Sequence, residues 1–419
     1  MVVGTIIGAS IFVQPSEITR QMSSVGGVVL VWLAAGLLTL CGALLCAELA
    51  SAFPQTGGVY VFLRESCGAA VAFLWGWAML WSMHSGIIAA IATVFARYAA
   101  VFVPMDGIAL RAVAASVILL LSLVNYLGVQ YGGRVQNVVT IAKLAAIAVI
   151  VMAGAFWPGV AVPPPETAGA PTPRGFALAI AAGLFAYGGW HMVTYTAGET
   201  REPARTIPRA LMLGTLIVTL CYAGLNLIYL RVLPLSAVRN STHVAADAAD
   251  VLLGGGGAQL MAAVVMLSSF GAVNGIVLVG PRVYYSMARD GLLFRTFASV
   301  NPRFRTPGAA ILAQAIVAAA LALTNTYAAL FSRVIYTEWI FFALMAGGLV
   351  ALRRRSDYRP AFRVRGAPVL AVAFIAASLV IVVNQVMADP RSSLTGLGIV
   401  LAGLPVYVVW SRRGHDRLS

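Results

Sequence analysis

The stretch "LAIAAGLFAYGGWHMVTYTAGE", residues 178–199, is apolar enough to enter a membrane, yet it carries paired glycines, Gly188–Gly189, in its middle. About 20 apolar residues are needed to cross a ~30 Å hydrocarbon core as helix. Each glycine in a helix interior costs about 1 kcal/mol against alanine. A glycine pair at that depth marks a place where the helix stops and restarts. The freed N–H and C=O groups are tolerated there only inside protein or along a cavity.

Working outward, apolar runs of similar length recur along the 419 residues: 1–22, 26–53, 68–101, 107–127, 134–157, 174–197, 209–233, 256–290, 309–325, 328–352, 367–389 and 392–411. The chain is 60% hydrophobic and 10% charged, with mean hydropathy +0.90. That composition excludes a soluble domain and predicts an all-α polytopic membrane protein with about twelve transmembrane helices. No cleavable signal peptide is read.

The first span, "MVVGTIIGASIFVQP" (1–15), shows the same weakness at Gly4, Gly8 and Ser10. Two glycine-interrupted spans, five spans apart, point to a transporter binding site. The N-terminal end of a half-helix attracts a carboxylate, and exposed carbonyls attract an ammonium. One broken pair can therefore hold both ends of a zwitterion. The competing reading is close helix packing through small residues.

The net charge of +14 suggests nucleic acid in a soluble protein, but its placement points elsewhere. Arg64, Arg134, Arg201, Arg205, Arg209, Arg295, Arg303, Arg305, the run from Arg353 to Arg365, Arg412, Arg413 and Arg417 fall on one side of the spans. Arg111, Arg174, Arg239 and Arg391 fall on the other, mixed with Asp106, Glu166, Asp247, Asp250 and Asp389. The positive-inside rule then puts both termini in the cytoplasm and makes the partner a bilayer, not nucleic acid. Cys41, Cys46 and Cys221 lie in spans and Cys67 at a cytoplasmic end, so no disulfide is expected.

At this point the chain resembles the amino acid–polyamine–organocation superfamily, and within it the L-type amino-acid transporter branch. "GTIIGASIF" is similar to that family's glycine-rich first-helix motif. "GALLCAELASAFPQTGGVYVFLRESCG" (42–68) resembles the end of its second helix and the following loop. "GLFAYGGW" (183–190) with "GETREPARTIPRAL" resembles the sixth-helix break. "SSFGAVNGIVLVGPRVYYSMARDGLL" (268–293) resembles helix eight, and "LRRRSDYRPAFRVRGAPV" the basic link after helix ten.

The resemblance implies a LeuT-type fold. Two inverted five-helix repeats, 1–157 and 174–352, carry discontinuous helices 1 and 6, and two peripheral helices follow at 367–411. It implies alternating access around a central amino-acid site. Backbone N–H groups of Gly8, Ala9, Ser10 and Ile11 would face the substrate carboxylate. Carbonyls of Ile6, Phe185, Ala186 and Gly188 would face its ammonium. Phe185 would be an aromatic gate, with Trp190 and His191 beside the side-chain pocket. Asn226 would bond helix six or the substrate. Ser10 stands where the family usually has glycine, which adds bulk near the carboxylate. Members joined to a heavy subunit carry a cysteine between helices three and four. "VFVPMDGIAL" (101–110) has none, which implies a stand-alone prokaryotic chain, monomeric or weakly oligomeric.

Of 28 basic residues, one is lysine: Lys143, inside "VQNVVTIAKLAAIAVIVMAG" (135–154). It lies about 13.5 Å along a helix from Arg134, near the bilayer midplane. A cation at that depth costs at least ~2.5 kcal/mol, and its stem is too short to reach the interface. It must face protein. The resemblance implies that it stands where sodium-coupled cousins hold sodium, bonded to carbonyls near Gly4–Gly8 and to Ser268 or Ser269. Two readings stand: a permanently charged strut, with exchange or facilitation, or a carrier of a transported proton.

Other polar residues in spans are read more plainly. Glu48 packs at an interface. His84 is a satisfied core histidine. Arg282, Arg289 and Asp290 form a cytoplasmic-end network. No acidic or basic side chain is assigned to the pocket, which predicts a neutral substrate. Neither a metal-ligand cluster, a nucleophile–base pair nor a phosphate loop is read, so no cofactor, metal or enzyme activity is expected. "GGGG" (254–257) lacks the Lys and Ser/Thr of a phosphate loop and reads as an outside turn.

The function expected is a sodium-independent exchanger or facilitator of neutral L-amino acids in the cytoplasmic membrane. The alternatives are a proton-coupled amino-acid or polyamine permease and, from another class, a cation channel or receptor. A channel needs a selectivity ring, and none is read. Only seven residues precede Gly8, about 10 Å of helix. A start roughly 10–25 residues upstream is expected, since ~15 Å of inner leaflet remains to be crossed.

Overall fold

The computed structural model describes residues 2–156 and 172–415, and among them every regular element is helical. Met1, Glu166, Arg417 and the 157 end of the expected first repeat lie outside the described residues. Among the described residues, ten helices have the length and apolarity to cross a membrane: Val25–Ala52, Ala69–Ala99, Gly107–Leu127, Gln136–Ala155, Pro173–Glu199, Pro203–Val232, Gly257–Arg289, Tyr327–Leu352, Ala367–Ala388 and Pro390–Ser411. The two other expected spans are also helical. Gly308–Thr324 is short, and the first is split into Val2–Ile6, a 3-10 turn Ser10–Phe12, and Gln14–Gln21.

The ends follow from local chemistry. Ser24, Asp106, Thr172 and Thr326 each precede a helix, and each side chain accepts from the backbone N–H three residues on, at 2.7–3.3 Å. That satisfies a donor the helix itself leaves orphaned. Inside Ala69–Ala99, residues Met79–Met83 form a π-helical turn. The Ser85 hydroxyl bonds the Leu80 carbonyl that the wider turn displaces, at 2.6 Å.

The spans pack at a five-span offset. Pro203–Val232 lies along Val25–Ala52, the helix Gly257–Val279 along His84–Ala99, and Gly308–Thr324 along Gly107–Leu127. Val2–Ile6 meets Trp190–Glu199. The helix that carries Lys143 shows both environments of a membrane protein. Ile141 is 70% exposed on its outer face, whereas Lys143 is 1% exposed.

Glu48, fully buried, anchors the link after the tenth span. Arg353 donates to both its oxygens at 2.8 and 2.5 Å, and the Val364 N–H adds a third bond at 2.8 Å. It is a structural anchor, in line with the expected interface role.

Candidate functional site

In the first break the chain turns away from helix after Ile6. The Gly8 N–H bonds the Ile6 carbonyl at 2.7 Å instead of the Gly4 carbonyl a continuing helix would use. The freed carbonyls are taken by three other spans. Lys143 donates to Gly4 at 3.0 Å and to Ile7. Tyr222 reaches Ile6 at 3.0 Å, and the Ser268 hydroxyl reaches Gly8 at 3.1 Å. Ala9 carbonyl accepts from Phe12, and Ser10 and Ile11 open the 3-10 turn, where helix geometry provides their N–H groups no acceptor.

The second break follows Ala186. The Gly188 N–H folds back onto the Phe185 carbonyl at 3.0 Å. Gly189 adopts φ +94°, and a Cβ there would stand 2.9 Å from the Thr5 carbonyl oxygen. Glycine is therefore required twice, for the left-handed backbone and for the approach of the first break. Gly189→Ala is expected to lower uptake of any substrate at least ~5-fold, because the strain alone is roughly 1–2 kcal/mol. Uptake by the purified variant in proteoliposomes checks it, and wild-type rates would mean that the break tolerates a side chain.

Tyr222 joins the two breaks. Its phenol oxygen lies 3.0 Å from the Ile6 carbonyl and 3.0 Å from the Ala186 carbonyl. One hydroxyl carries one proton, so at any moment one of these carbonyls is left for another donor. Sequence reasoning chose Asn226, one turn along the same helix. Asn226 donates to the Tyr222 backbone carbonyl at 2.9 Å and does not line the cavity.

Between the breaks lies a cavity of about 20 Å³, near the room one water needs. Ile6, Gly8, Ser10, Phe185, Ala186 and Gly188, all named from the sequence, line it together with Thr5, Ile87, Ile91, Gly189, Met192, Ile276 and Glu338. Ala9 and Ile11 are buried behind it. Phe185 closes one end, edge-on to Phe331 and Tyr327 with centroids 4.9 and 6.2 Å away.

Other placements also differ from expectation. Trp190 and His191 stand behind the wall, packed on Phe342 at 5.0 and 4.9 Å, because the turn at Gly189 aims Met192 at the cavity instead. The Lys143 ammonium bonds carbonyls and neither serine: Ser268 serves Gly8, and Ser269 ties back to Val265 at 2.7 Å. His84 is not satisfied, since neither ring nitrogen of His84 or His191 has a partner among the described residues. An acidic residue does line the pocket: Glu338, from Tyr327–Leu352.

One end of the bundle is pinned by charge. Arg282 pairs with Glu199 at 2.5 and 2.8 Å, and Arg64 pairs with Asp290, which also accepts from the Tyr60 hydroxyl at 2.7 Å. Burial, then the bond to Asp290, pushes the Tyr60 phenol above its usual range, so it stays a donor. Arg289, expected in this network, lies over the Tyr285 ring instead, 6.0 Å from its centroid.

A helical membrane protein whose two broken spans meet at a closed cavity has the architecture of a secondary transporter. Comparison with known proteins sharpens that class. Residues 1–410 match the family described as amino acid permease, and the chain belongs to it. It is 32% identical to the serine/threonine exchanger SteT of Bacillus subtilis over 99% of this chain and 95% of that protein. It is 31% identical to the human large neutral amino acids transporter small subunit 2, over 99% and 79% of the two chains. It is 30% identical to the human b(0,+)-type amino acid transporter 1, over 98% and 86%.

Proposed function

We propose that the protein moves neutral L-amino acids across a prokaryotic cytoplasmic membrane by sodium-independent exchange or facilitation, as a stand-alone chain. The observation that carries this is the cavity framed by two backbone breaks. Of the four N–H groups expected to face the substrate carboxylate, that of Ser10 lines the cavity and suits it; the Gly8 N–H is taken by the Ile6 carbonyl, and Ala9 and Ile11 lie behind the wall. Carbonyls of Ile6 and Ala186, shared with the Tyr222 proton, suit the substrate ammonium. The apolar side chains of Ile87, Ile91, Ile276 and Met192 suit an uncharged side chain, and the relatives' names include neutral amino-acid transporters.

Sodium independence rests on Lys143. Its nitrogen bonds the Gly4 and Ile7 carbonyls, and read as a permanent charge it would hold the first break without a metal ion. The five-span packing offset supports two inverted repeats, 1–157 and 174–352, with 367–411 peripheral. Alternating access would rock one half against the other. The Arg282–Glu199 and Arg64–Asp290 pairs would be the inner gate, and Phe185 with Tyr327 the outer one. Arg64, Arg282 and Arg353 pair with Asp290, Glu199 and Glu48, which lie at or near span ends that the positive-inside rule puts in the cytoplasm. The same rule leaves both termini there.

Purified protein in liposomes loaded with unlabelled alanine should take up labelled alanine equally in sodium and choline buffers. Uptake that needs sodium would overturn the ion-free reading, and ion flow without uptake would overturn the transporter reading. In a thermal-shift screen of the twenty amino acids, neutral ones should stabilise most. Strongest stabilisation by arginine or glutamate would sink the substrate class.

A further inference from the structure

Among the described residues, Glu338 is the one acidic side chain in the cavity wall. The residue is 4% exposed, its Oε1 has no hydrogen-bond partner among the described residues, and no ion pair there includes it. A buried carboxylate oxygen without a donor is costly. An apolar residue at this position would remove that cost, as Ile87, Ile91 and Ile276 do elsewhere in the wall. The two breaks already provide N–H and C=O groups for the two charged ends that every amino acid shares. Glu338 comes from neither break but from the tenth span. It is a third polar point, and it suits a third polar group.

Resting on the transport reading above, we propose that Glu338 accepts a hydrogen bond from a donor on the substrate's side chain, so that the pocket selects amino acids with a short donor-bearing side chain over their apolar isosteres. Glu338 shares the wall with Gly8, Ser10 and Ala186 of the two breaks, so the donor it meets lies close to Cα. A site built to bond a substrate hydroxyl rejects the analogue without it, because its own polar group is then left unpaired. The donor is a hydroxyl, as in serine and threonine, or a short-chain ammonium, as in 2,3-diaminopropionate.

The test compares transport efficiency for threonine and its isostere valine in proteoliposomes, with alanine as the common reference. Threonine should exceed valine at least ~10-fold in the wild type. Glu338→Met should bring the ratio within about threefold, whereas Glu338→Gln, whose amide oxygen still accepts, should keep most of the preference. If 2,3-diaminopropionate outcompetes threonine and loses that advantage in Glu338→Met, the preferred donor is an ammonium; if threonine wins, it is a hydroxyl. Either result supports the assignment. Equal threonine and valine efficiency in a wild type that carries alanine would overturn it and leave the transport reading intact. Equal loss of alanine and threonine in Glu338→Met, with the protein folded, would also overturn it. Wild type that carries no alanine would instead defeat the transport reading, and this assignment with it.

Discussion

Lys143→Ala is expected to abolish uptake while the protein remains folded in the membrane. The ammonium uses two of its three donors on the Gly4 and Ile7 carbonyls. Without it, both carbonyls face a dry interior, at about 1–3 kcal/mol for each orphaned group. The first break then loses its link to the helix Val129–Ala155, while the bonds from Tyr222 and Ser268 persist. Disorder of that break removes the N–H group assigned to the substrate carboxylate. A loss of at least ~30-fold follows if even 2 kcal/mol falls on the binding-competent state. Uptake and alanine-induced thermal stabilisation, measured on the same purified variant, check this. Wild-type uptake by Lys143→Ala in sodium-free buffer would remove the strut.

The second large effect is on stability. Arg353→Ala strands Glu48, which is fully buried and receives two bonds from that guanidinium. Breaking a buried pair from one side typically costs about 3–5 kcal/mol, because the other charge stays behind. The Val364 N–H bond offsets only part of that loss. The thermal midpoint of Arg353→Ala in detergent should therefore fall by several degrees, more than that of Glu48→Gln, which removes the charge itself. Adding Glu48→Gln to Arg353→Ala should recover much of the loss. A midpoint unchanged in Arg353→Ala would mean that the pair does not hold the link between the tenth and eleventh spans.

How much of this was legible in the sequence depends on the range of the interaction. The two breaks were, because glycine weakens a helix wherever it stands, and Gly8 and Gly188–Gly189 lie where helix is otherwise obligatory. Lys143 was, because a charge in an apolar run must have a partner. Its partners were legible only as a neighbourhood: the carbonyls came out as expected, and the serines did not. Tyr222 was not read, since a tyrosine in an apolar helix is ordinary until the position of its hydroxyl is known. Glu338 carried a usable signal, an acid inside a span, but nothing local says which way a helix residue points. Pairs such as Arg282–Glu199, 83 residues apart, and Arg353–Glu48, 305 apart, exist only once the bundle closes. The placement of Met192 rather than His191 in the wall depends on the turn at Gly189, which a helical wheel cannot anticipate.

The scarcity of lysine gives the chain a chemical address. Reagents that modify primary amines find one side-chain target in 419 residues, and that target is the Lys143 nitrogen, buried on two carbonyls at the centre of the bundle. Arginine, which makes up the rest of the basic residues, is not a primary amine and is silent to the same reagents. The rate of reductive methylation at this position is therefore a clock for how often the centre opens to small molecules, with no other side chain contributing background. A single ¹³C-methyl group placed there leaves the ammonium two donors for the Gly4 and Ile7 carbonyls and gives one side-chain resonance that reports on the core.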